Sequence, residues 1–209
     1  MEKKRLAVFA SGRGSNFQVI LKNTISGYIF ADIVLLISNK QDAGVLEIAR
    51  QHGIRTEVFE PKKFADADAF NKEILNALID AHIDYIILAG YLKMIGPEIV
   101  RRYSNKIVNI HPALLPSFGG KGMYGHHVHD AVFKHGVKVS GVTVHLVNNE
   151  YDDGPILMQK CVDISDLNSP EEIAAAVLRV EHELYPRAVK VLAEDRVLVQ
   201  GRRVEIIGD

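Results

Sequence analysis

The chain has 209 residues, of which 47% are hydrophobic and 24% charged, and its formal net charge at pH 7 is −1. This composition is typical of a water-soluble globular protein, and the near-neutral charge argues against a broad basic surface for nucleic acid or for an anionic membrane. The apolar stretch behind the basic residues at the amino terminus is too short for a signal sequence or a membrane span.

Short apolar runs alternate with longer helical patterns up to about residue 110. The runs predicted as strands are mostly continuously apolar, as in a buried parallel sheet; they cover residues 6–10, 33–38, 56–59, 85–89 and 106–110. The predicted helices between them cover residues 15–26, 43–51, 67–81 and 97–103. In the third helix, Phe70, Ile74, Leu78 and Ile79 recur at helical spacing and are predicted to share one buried face. This alternation predicts a Rossmann-like, doubly wound, mainly parallel α/β sheet.

The pattern changes after residue 110. A loop rich in Pro and Gly over residues 111–125 precedes a short helix, and two strands close together in sequence, 139–147 and 156–164, are predicted to pair antiparallel. A capping box at Ser169-Pro170-Glu171-Glu172 begins a helix that ends near residue 192. Residues 197–200 and 203–207 are predicted to form a closing hairpin. We therefore expect one domain over residues 1–209, with an antiparallel carboxyl-terminal part.

Cys161 is the only cysteine, so an internal disulfide cannot form. A cytoplasmic protein is the expectation for a chain of this composition. Because Cys161 lies within the second of the two late strands, we predict a buried, inert thiol rather than a nucleophile.

The segment Gly12-Arg13-Gly14-Ser15-Asn16 connects the first strand to the first helix. A dinucleotide fingerprint needs a third glycine and an acidic residue after the second strand, but Phe17 occupies the glycine position and the second strand ends Ser38-Asn39-Lys40. Free backbone N–H groups and the helix dipole at such a turn favour a single phosphate. The alternative is an ordinary strand–helix turn with Ser15 as the N-cap residue.

Asn109 and His111 end the fifth strand, at the edge of the sheet where α/β folds bind ligands. Being two residues apart, they project from the same face, and Pro112 favours an extended His111. An amide and an imidazole placed together suit a developing oxyanion and a proton transfer. The alternative is a histidine whose hydrogen bonds are satisfied by its own loop.

Four segments occur in an order and spacing that resemble one family. They are Gly12–Asn16, Asn109-Ile110-His111-Pro112, the Ala-Leu-Leu-Pro-Ser-Phe-Gly-Gly-Lys-Gly-Met-Tyr-Gly run that follows it, and Glu150-Tyr151-Asp152-Asp153-Gly154-Pro155. That family is the formyltransferases that use 10-formyltetrahydrofolate, and the resemblance covers about residues 5–190. It implies the formyltransferase fold and transfer of a formyl group from 10-formyltetrahydrofolate to the amine of 5′-phosphoribosylglycinamide, in purine (IMP) biosynthesis. It also implies small-molecule partners and no metal, and a homodimer is compatible with it.

The resemblance assigns roles to individual residues. The catalytic residues it implies are Asn109, His111 and Asp152, with a protonated His111 held by Asp152. The residues implied for the substrate phosphate and ribose are Gly14, Ser15, Asn16 and Glu181. Those implied for folate are Leu92, Lys93, Met94, Ile95 and Asn109. Residues about 1–110 would then form a phosphate-binding half, and residues about 111–209 a folate and catalytic half.

The sequence departs from the family at two folate-side positions. Lys93 stands where relatives commonly have Arg, and Ala67 stands near the place where some members have an Arg, for which Lys63 is the candidate substitute. Three rival functions would each require a different feature or behaviour of the chain. We expect a methionyl-tRNA formyltransferase to have a further domain and a basic surface, and a formyltetrahydrofolate hydrolase to have an extra amino-terminal domain. A non-catalytic nucleotide sensor would bind phosphate ligands without transferring a formyl group.

His126, His129 and Asp130 have a spacing that can place metal ligands on one helix face. The favoured interpretation is that His126, His127 and His129 line a ligand channel or face water. His145 lies in the middle of a strand and is expected to be a satisfied core histidine or a neighbour of the Asp152 loop.

Overall fold

The computed structural model of the chain describes residues 2–208. The strands are β1 (Lys4–Phe9), β2 (Ala31–Ser38), β3 (Arg55–Val58), β4 (Tyr85–Leu88), β5 (Ile107–His111), β6 (Val139–Leu146), β7 (Ile156–Asp163), β8 (Val197–Gln200) and β9 (Arg203–Ile206). The helices are α1 (Ser15–Ile25), α2 (Val45–Gln51), α3 (Ala67–Asp80), α4 (Pro97–Arg102), α5 (His126–Lys134) and α6 (Pro170–Ala193). Within the described residues, no helix is both long and apolar enough to cross a membrane.

Seven strands form one mixed sheet in the order β3-β2-β1-β4-β5-β6-β7. The first five strands pair in parallel, and β6 and β7 are added antiparallel. β8 and β9 pair with each other as a separate hairpin. The mainly parallel sheet with an antiparallel carboxyl-terminal part is confirmed, and the predicted elements differ from the observed ones by one or two residues at their ends.

The core has two layers, one on each face of the sheet. Successive residues of β1 point to opposite faces, so Leu6 and Val8 join one apolar cluster while Ala7 and Phe9 join the other. The first cluster is completed by α1, α2, α5 and α6, and the second by α3 and α4. A strand buried on both faces must be apolar at every position, which is why these runs could be identified from the sequence.

The buried face of α3 differs from the predicted one at one position. Phe70, Ile74 and Leu78 are buried, but Ile79 is 43% exposed, and Ala77 completes the face. At about 100° per residue, position 79 lies roughly opposite Phe70 on the helix, whereas position 77 lies close to it.

The prediction of a buried Cys161 is wrong, because its thiol is exposed. β7 is the last strand of the sheet, and its central residues 159–161 are all exposed. The buried part of this strand is confined to Leu157, so the apolar character of its sequence overstated its burial.

α6 brings a distant part of the chain to the carboxyl ends of the central strands. Its N-cap is Ser169, whose Oγ accepts from the Glu172 N–H, while the Glu172 carboxylate accepts from the Asn168 N–H at 2.6 Å. Further along, the buried Tyr185 hydroxyl lies 2.8 Å from the Leu88 carbonyl oxygen at the end of β4. Because residues four apart share one helix face, this anchor also places Glu181 at the edge of the sheet.

Candidate active site

One cavity at the carboxyl edge of the sheet collects most of the predicted site residues. Its lining includes Asn16, Leu92, Lys93, Met94, Ile95, Asn109, His111, Asp152 and Glu181. Gly14 and Ser15 precede Asn16 directly in the chain and are not part of this lining. The cavity therefore unites residues from α1, the segment after β4, the end of β5, the β6–β7 connection and α6.

Asn109 is oriented by a histidine on the neighbouring strand. Its Nδ2 lies 3.1 Å from Nε2 of His145, the residue opposite it in the β5–β6 pairing. Nδ1 of His145 lies 3.0 Å from the Leu146 carbonyl oxygen, which can only accept, so Nδ1 carries a proton. In the neutral ring, Nε2 therefore accepts from the Asn109 amide. One amide hydrogen of Asn109 is held in this way, and the other is free for a ligand.

His111 is held between a carbonyl and a carboxylate. Its Nε2 donates to the Phe118 carbonyl oxygen at 2.8 Å, and its Nδ1 lies 3.5 Å from Oδ2 of Asp152. The other carboxylate oxygen of Asp152 lies 3.6 Å from Nε2 of His145. Asp152 thus sits between two buried imidazoles, which confirms the expected neighbourhood of His145.

The pKa of His111 is shifted in the direction opposite to the expected one. Burial lowers the pKa of His111 by more than the carboxylate of Asp152 raises it, so the net shift is downward. For Asp152, burial raises the pKa, but His145, His111 and the Gly120 N–H, which donates at 3.0 Å, outweigh that effect and lower it. These two shifts favour a neutral imidazole beside an ionised carboxylate in the unliganded site, whereas the sequence led us to expect a raised pKa and a protonated His111. The Nδ1 lone pair of His111 can accept a proton.

Close backbone packing fixes the position of Asp152. A Cβ atom on Gly154 would lie 1.7 Å from the carbonyl oxygen of Leu146, so only glycine allows the β6–β7 connection to pass this close to β6. Asp152 itself has φ 54°. The adjacent Asp153 points away and forms an exposed ion pair with Arg202 at 3.1 Å. This geometry favours Asp152 over Asp153 as the partner of His111.

The opening glycine loop forms a tight turn into α1. Gly14, with φ 86°, is the N-cap residue of α1, so the N-cap is not Ser15 as the ordinary-turn alternative supposed. A Cβ atom on Gly14 would lie 2.6 Å from Cγ2 of Val45, which shows that the packing of α2 also requires glycine here.

Asn16 and Glu181 meet across 165 residues of sequence, with Asn16 Nδ2 2.6 Å from Glu181 Oε2. Oδ1 of Asn16 is buried and accepts no hydrogen bond from the described residues. Burial raises the pKa of Glu181, with the Asn16 hydrogen bond opposing it. The pair presents polar atoms in a desolvated corner of the cavity, where a ligand hydroxyl can satisfy them.

The segment after β4 forms an apolar wall of the cavity. Leu92 and Met94 are 46% and 45% exposed, while Ile95 is buried. The Leu92 N–H donates to Oγ of Ser11 at 3.2 Å, and Ser11 donates to Oδ1 of Asn39 at 2.5 Å. Neither Ser11 nor Asn39 was predicted to have a role in the site, although both follow parallel strands and so lie at the same edge of the sheet.

A second depression adjoins this wall and shares Lys93, Met94, Ile95 and Tyr151 with the first cavity. Ala67 is part of its lining. The ammonium of Lys63 lies 2.6 Å from a carboxylate oxygen of Glu60, and Lys63 is outside the lining. In this conformation Lys63 does not stand in for the Arg that some family members place on the folate side.

The histidines of α5 divide into two groups. His126 and His127 are exposed, as expected for residues that face water. His129 is 7% exposed, and its Nδ1 is buried without a hydrogen-bond partner among the described residues. The expectation that His129 faces water or a channel is wrong, because its side of the helix packs towards Val128 and Val132 in the core.

Comparison with known proteins agrees with this geometry. The family model described as formyl transferase matches residues 4–189. The chain is 46% identical to the chloroplastic phosphoribosylglycinamide formyltransferase of Arabidopsis thaliana, over 93% of this chain and 67% of that protein. It is 39% identical to the phosphoribosylglycinamide formyltransferase of Bacillus subtilis, over 90% of this chain and 94% of the relative.

A solved structure extends the similarity to three dimensions. The glycinamide ribonucleotide transformylase 1 of Symbiobacterium toebii superimposes with a TM-score of 0.93 at 34% identity, over 99% of this chain and 95% of that one. The family model, the relatives and the fold all indicate the same assignment. The chain belongs to the formyl transferase family, among the phosphoribosylglycinamide formyltransferases.

Proposed function

We infer that the chain transfers a formyl group from 10-formyltetrahydrofolate to the amine of 5′-phosphoribosylglycinamide in purine biosynthesis. The observation that supports this most strongly is a single cavity that joins the Asn109, His111 and Asp152 cluster to the Asn16–Glu181 pair. The chemistry needs a donor for an oxyanion, a group that moves a proton, and a binding surface on each side of the reacting atoms. The cavity provides all three.

We propose that Asn109, His111 and Asp152 carry the chemistry. Attack of the amine on the formyl carbon produces a tetrahedral oxyanion, to which the free amide hydrogen of Asn109 donates. Nδ1 of His111 takes the proton that the amine loses, and Asp152 stabilises the imidazolium that results. The imidazolium then returns this proton to the nitrogen that leaves the formyl carbon. The low pKa of His111 suits a group that begins this cycle as a base.

We propose that the two substrates bind on opposite sides of this cluster. Gly14, Ser15 and Asn16 begin α1, whose backbone N–H groups and dipole favour the substrate phosphate. Glu181 and the unpartnered Oδ1 of Asn16 are acceptors for ribose hydroxyls. Leu92, Lys93, Met94 and Ile95, with Asn109, form the folate side, where half-exposed apolar side chains suit a flat ring. Holding the two reacting groups close together and correctly oriented supplies much of the rate acceleration.

The function is tested by incubating the purified chain with glycinamide ribonucleotide and 10-formyltetrahydrofolate. We expect formylated ribonucleotide and tetrahydrofolate in equal amounts, and loss of both products in a His111→Gln control. Tetrahydrofolate release in the absence of the ribonucleotide would indicate a hydrolase. Binding of both substrates without turnover would indicate a nucleotide sensor. Either result would overturn the proposed transfer.

We propose that the chain acts as one formyltransferase domain in the cytoplasm, on small molecules rather than on nucleic acid or membranes. In the proposed division, residues about 1–110 provide the phosphate turn, the wall at residues 92–95 and Asn109, and residues about 111–209 provide His111, Asp152 and Glu181. The Asn16–Glu181 contact crosses this division, and the wall at residues 92–95 lies in the first part, so the cavity needs both parts. Light scattering at several concentrations would test whether the chain is a monomer or a homodimer.

A further inference from the structure

We propose that His126, His127 and Asp130 form a surface site for a divalent transition-metal ion such as Zn²⁺, separate from the proposed catalytic chemistry. Each side chain offers one ligand atom, and these atoms lie within 4.8 Å of one another. Two imidazoles and a carboxylate suit Zn²⁺, Ni²⁺ or Co²⁺. The structure places His127 here in place of His129, whose burial removes it from the cluster.

The geometry follows from the first turn of α5. Asp130 is four residues after His126 and three after His127, so it lies about 40° from one and about 60° from the other around the helix axis. It therefore stands one turn below and between the two histidines. Ligand atoms bound at about 2.0–2.2 Å from one ion lie roughly 3–3.5 Å apart. Because all three side chains are exposed, small rotations can close the remaining gap.

The carboxylate of Asp130 offsets the partial positive charge at the start of α5. The amino-terminal end of a helix carries a partial positive charge, which opposes a cation. The side chain of Asp130 brings a full negative charge within reach of the same position. Two neutral imidazoles alone would lack this compensation, so Asp130 is the ligand on which the site should depend most.

The proposed site adjoins the active-site cavity. Gly122, Met123, Tyr124 and Gly125 line that cavity and lead directly into His126. The Tyr124 ring packs edge-on against His127, with ring centroids 5.1 Å apart. An ion that fixes His127 would therefore also restrain the segment 122–125. Gly122 and Gly125 both have positive φ, a backbone conformation that other residues rarely adopt.

The experiment uses the full chain stripped of metal and titrated with ZnCl₂ alone in a calorimeter, with hydrogen exchange measured in parallel. We expect binding that weakens about tenfold or more in His127→Gln and in Asp130→Asn, by analogy with the loss of other metal-site residues. Amides of residues 120–127 should exchange more slowly with Zn²⁺ in the unmodified chain. The matched control is His52→Gln, an exposed histidine at the end of α2, which should bind as tightly as the parent.

Cys161 is an exposed thiol and needs its own control. If Cys161→Ser abolishes Zn²⁺ binding, the ion is held by the thiol and the proposal fails. It also fails if His127→Gln and Asp130→Asn bind Zn²⁺ like the parent, or if the parent does not bind it. The readout uses Zn²⁺ without substrates, so its outcome is independent of the proposed formyl transfer.

Discussion

His111 presents Nδ1 to the carboxylate of Asp152 at 3.5 Å, while its Nε2 is bound to the Phe118 carbonyl. Since that carbonyl can only accept, the proton of the neutral ring stays on Nε2 and the lone pair is on Nδ1. The lone pair therefore faces a negative charge. Protonation of Nδ1 replaces this repulsion with an attraction between the imidazolium and the carboxylate. This geometry favours the transfer of a proton to Nδ1 that we propose.

Asp152→Asn tests this arrangement. The side chain keeps its shape but loses its charge, so the imidazolium of His111 loses its stabilising partner. We expect turnover to fall by about 10²–10⁴, with the Michaelis constants changing only a few-fold. The pKa of His111 should fall further below its ordinary value, because the larger of its two raising contributions is removed. Steady-state kinetics and an NMR titration of His111 measure the two effects.

Asp153→Asn is the matched control. Asp153 is exposed and paired with Arg202, on the turn between β8 and β9. Turnover should stay close to that of the parent. If Asp153→Asn were the impaired variant and Asp152→Asn were active, the role assigned to Asp152 would belong to its neighbour. Normal turnover in both variants would contradict the proton-transfer mechanism.

The contact between Asn16 and Glu181 leads to a prediction about substrate binding. Asn16→Ala removes the donor to Glu181 and the unpartnered Oδ1 acceptor, so we expect the Michaelis constant for the ribonucleotide to rise at least tenfold, or about 1.4 kcal/mol. Folate affinity, measured by calorimetry, should change little. Asn23→Ala is the control, because Asn23 bonds within α1 to Val19. Equal losses for both substrates would show that Asn16 supports the whole cavity rather than the ribonucleotide side.

The sequence predicted the sheet well because its central strands are buried on both faces. A continuous apolar run such as Ile33–Ile37 in β2 then has few alternative assignments. The motif around His111 predicted that Asn109 and His111 belong to the candidate site, and the Asp-Asp-Gly-Pro run predicted the same for Asp152; all three line one cavity. The need for glycine at position 154 was not predicted, because it arises from the close approach of this backbone to Leu146 in the folded chain.

Other features depend on burial and on contacts that form only in the folded chain. The charge of His111 results from burial opposing a nearby carboxylate, and only the structure gives the extent of burial. The exposure of Cys161 depends on β7 being the last strand of the sheet. The Ser11–Asn39 bond joins the ends of two strands whose neighbourhood becomes visible only once the sheet is formed.

Gly154→Ala should be strongly destabilising. The added methyl group would lie 1.7 Å from the Leu146 carbonyl oxygen, and backbone atoms cannot move aside as a flexible side chain can. We expect a loss of more than about 3 kcal/mol in the free energy of unfolding, measured by chemical denaturation. Gly44→Ala is the control, since Gly44 has φ −58° and its nearest contact would be an ordinary 3.7 Å. It should change stability by no more than about 1 kcal/mol. Equal stability of the two variants would show that the β6–β7 connection is more adaptable than its packing indicates.

Glu181 links stability to pH in a direction that can be measured. Burial raises the pKa of its carboxyl above the ordinary value of 4.5, so over a range of pH above that value the folded chain keeps a proton that the unfolded chain has released. Where the folded state binds more protons, the free energy of unfolding falls as pH rises. Glu181→Gln does not titrate, and its amide oxygen can still accept from Asn16. The variant should therefore gain in melting temperature relative to the parent as pH is raised from about 5 to about 8, while its affinity for the ribonucleotide decreases. A stability difference that is the same at both pH values would mean that Glu181 is ionised in the folded chain throughout this range.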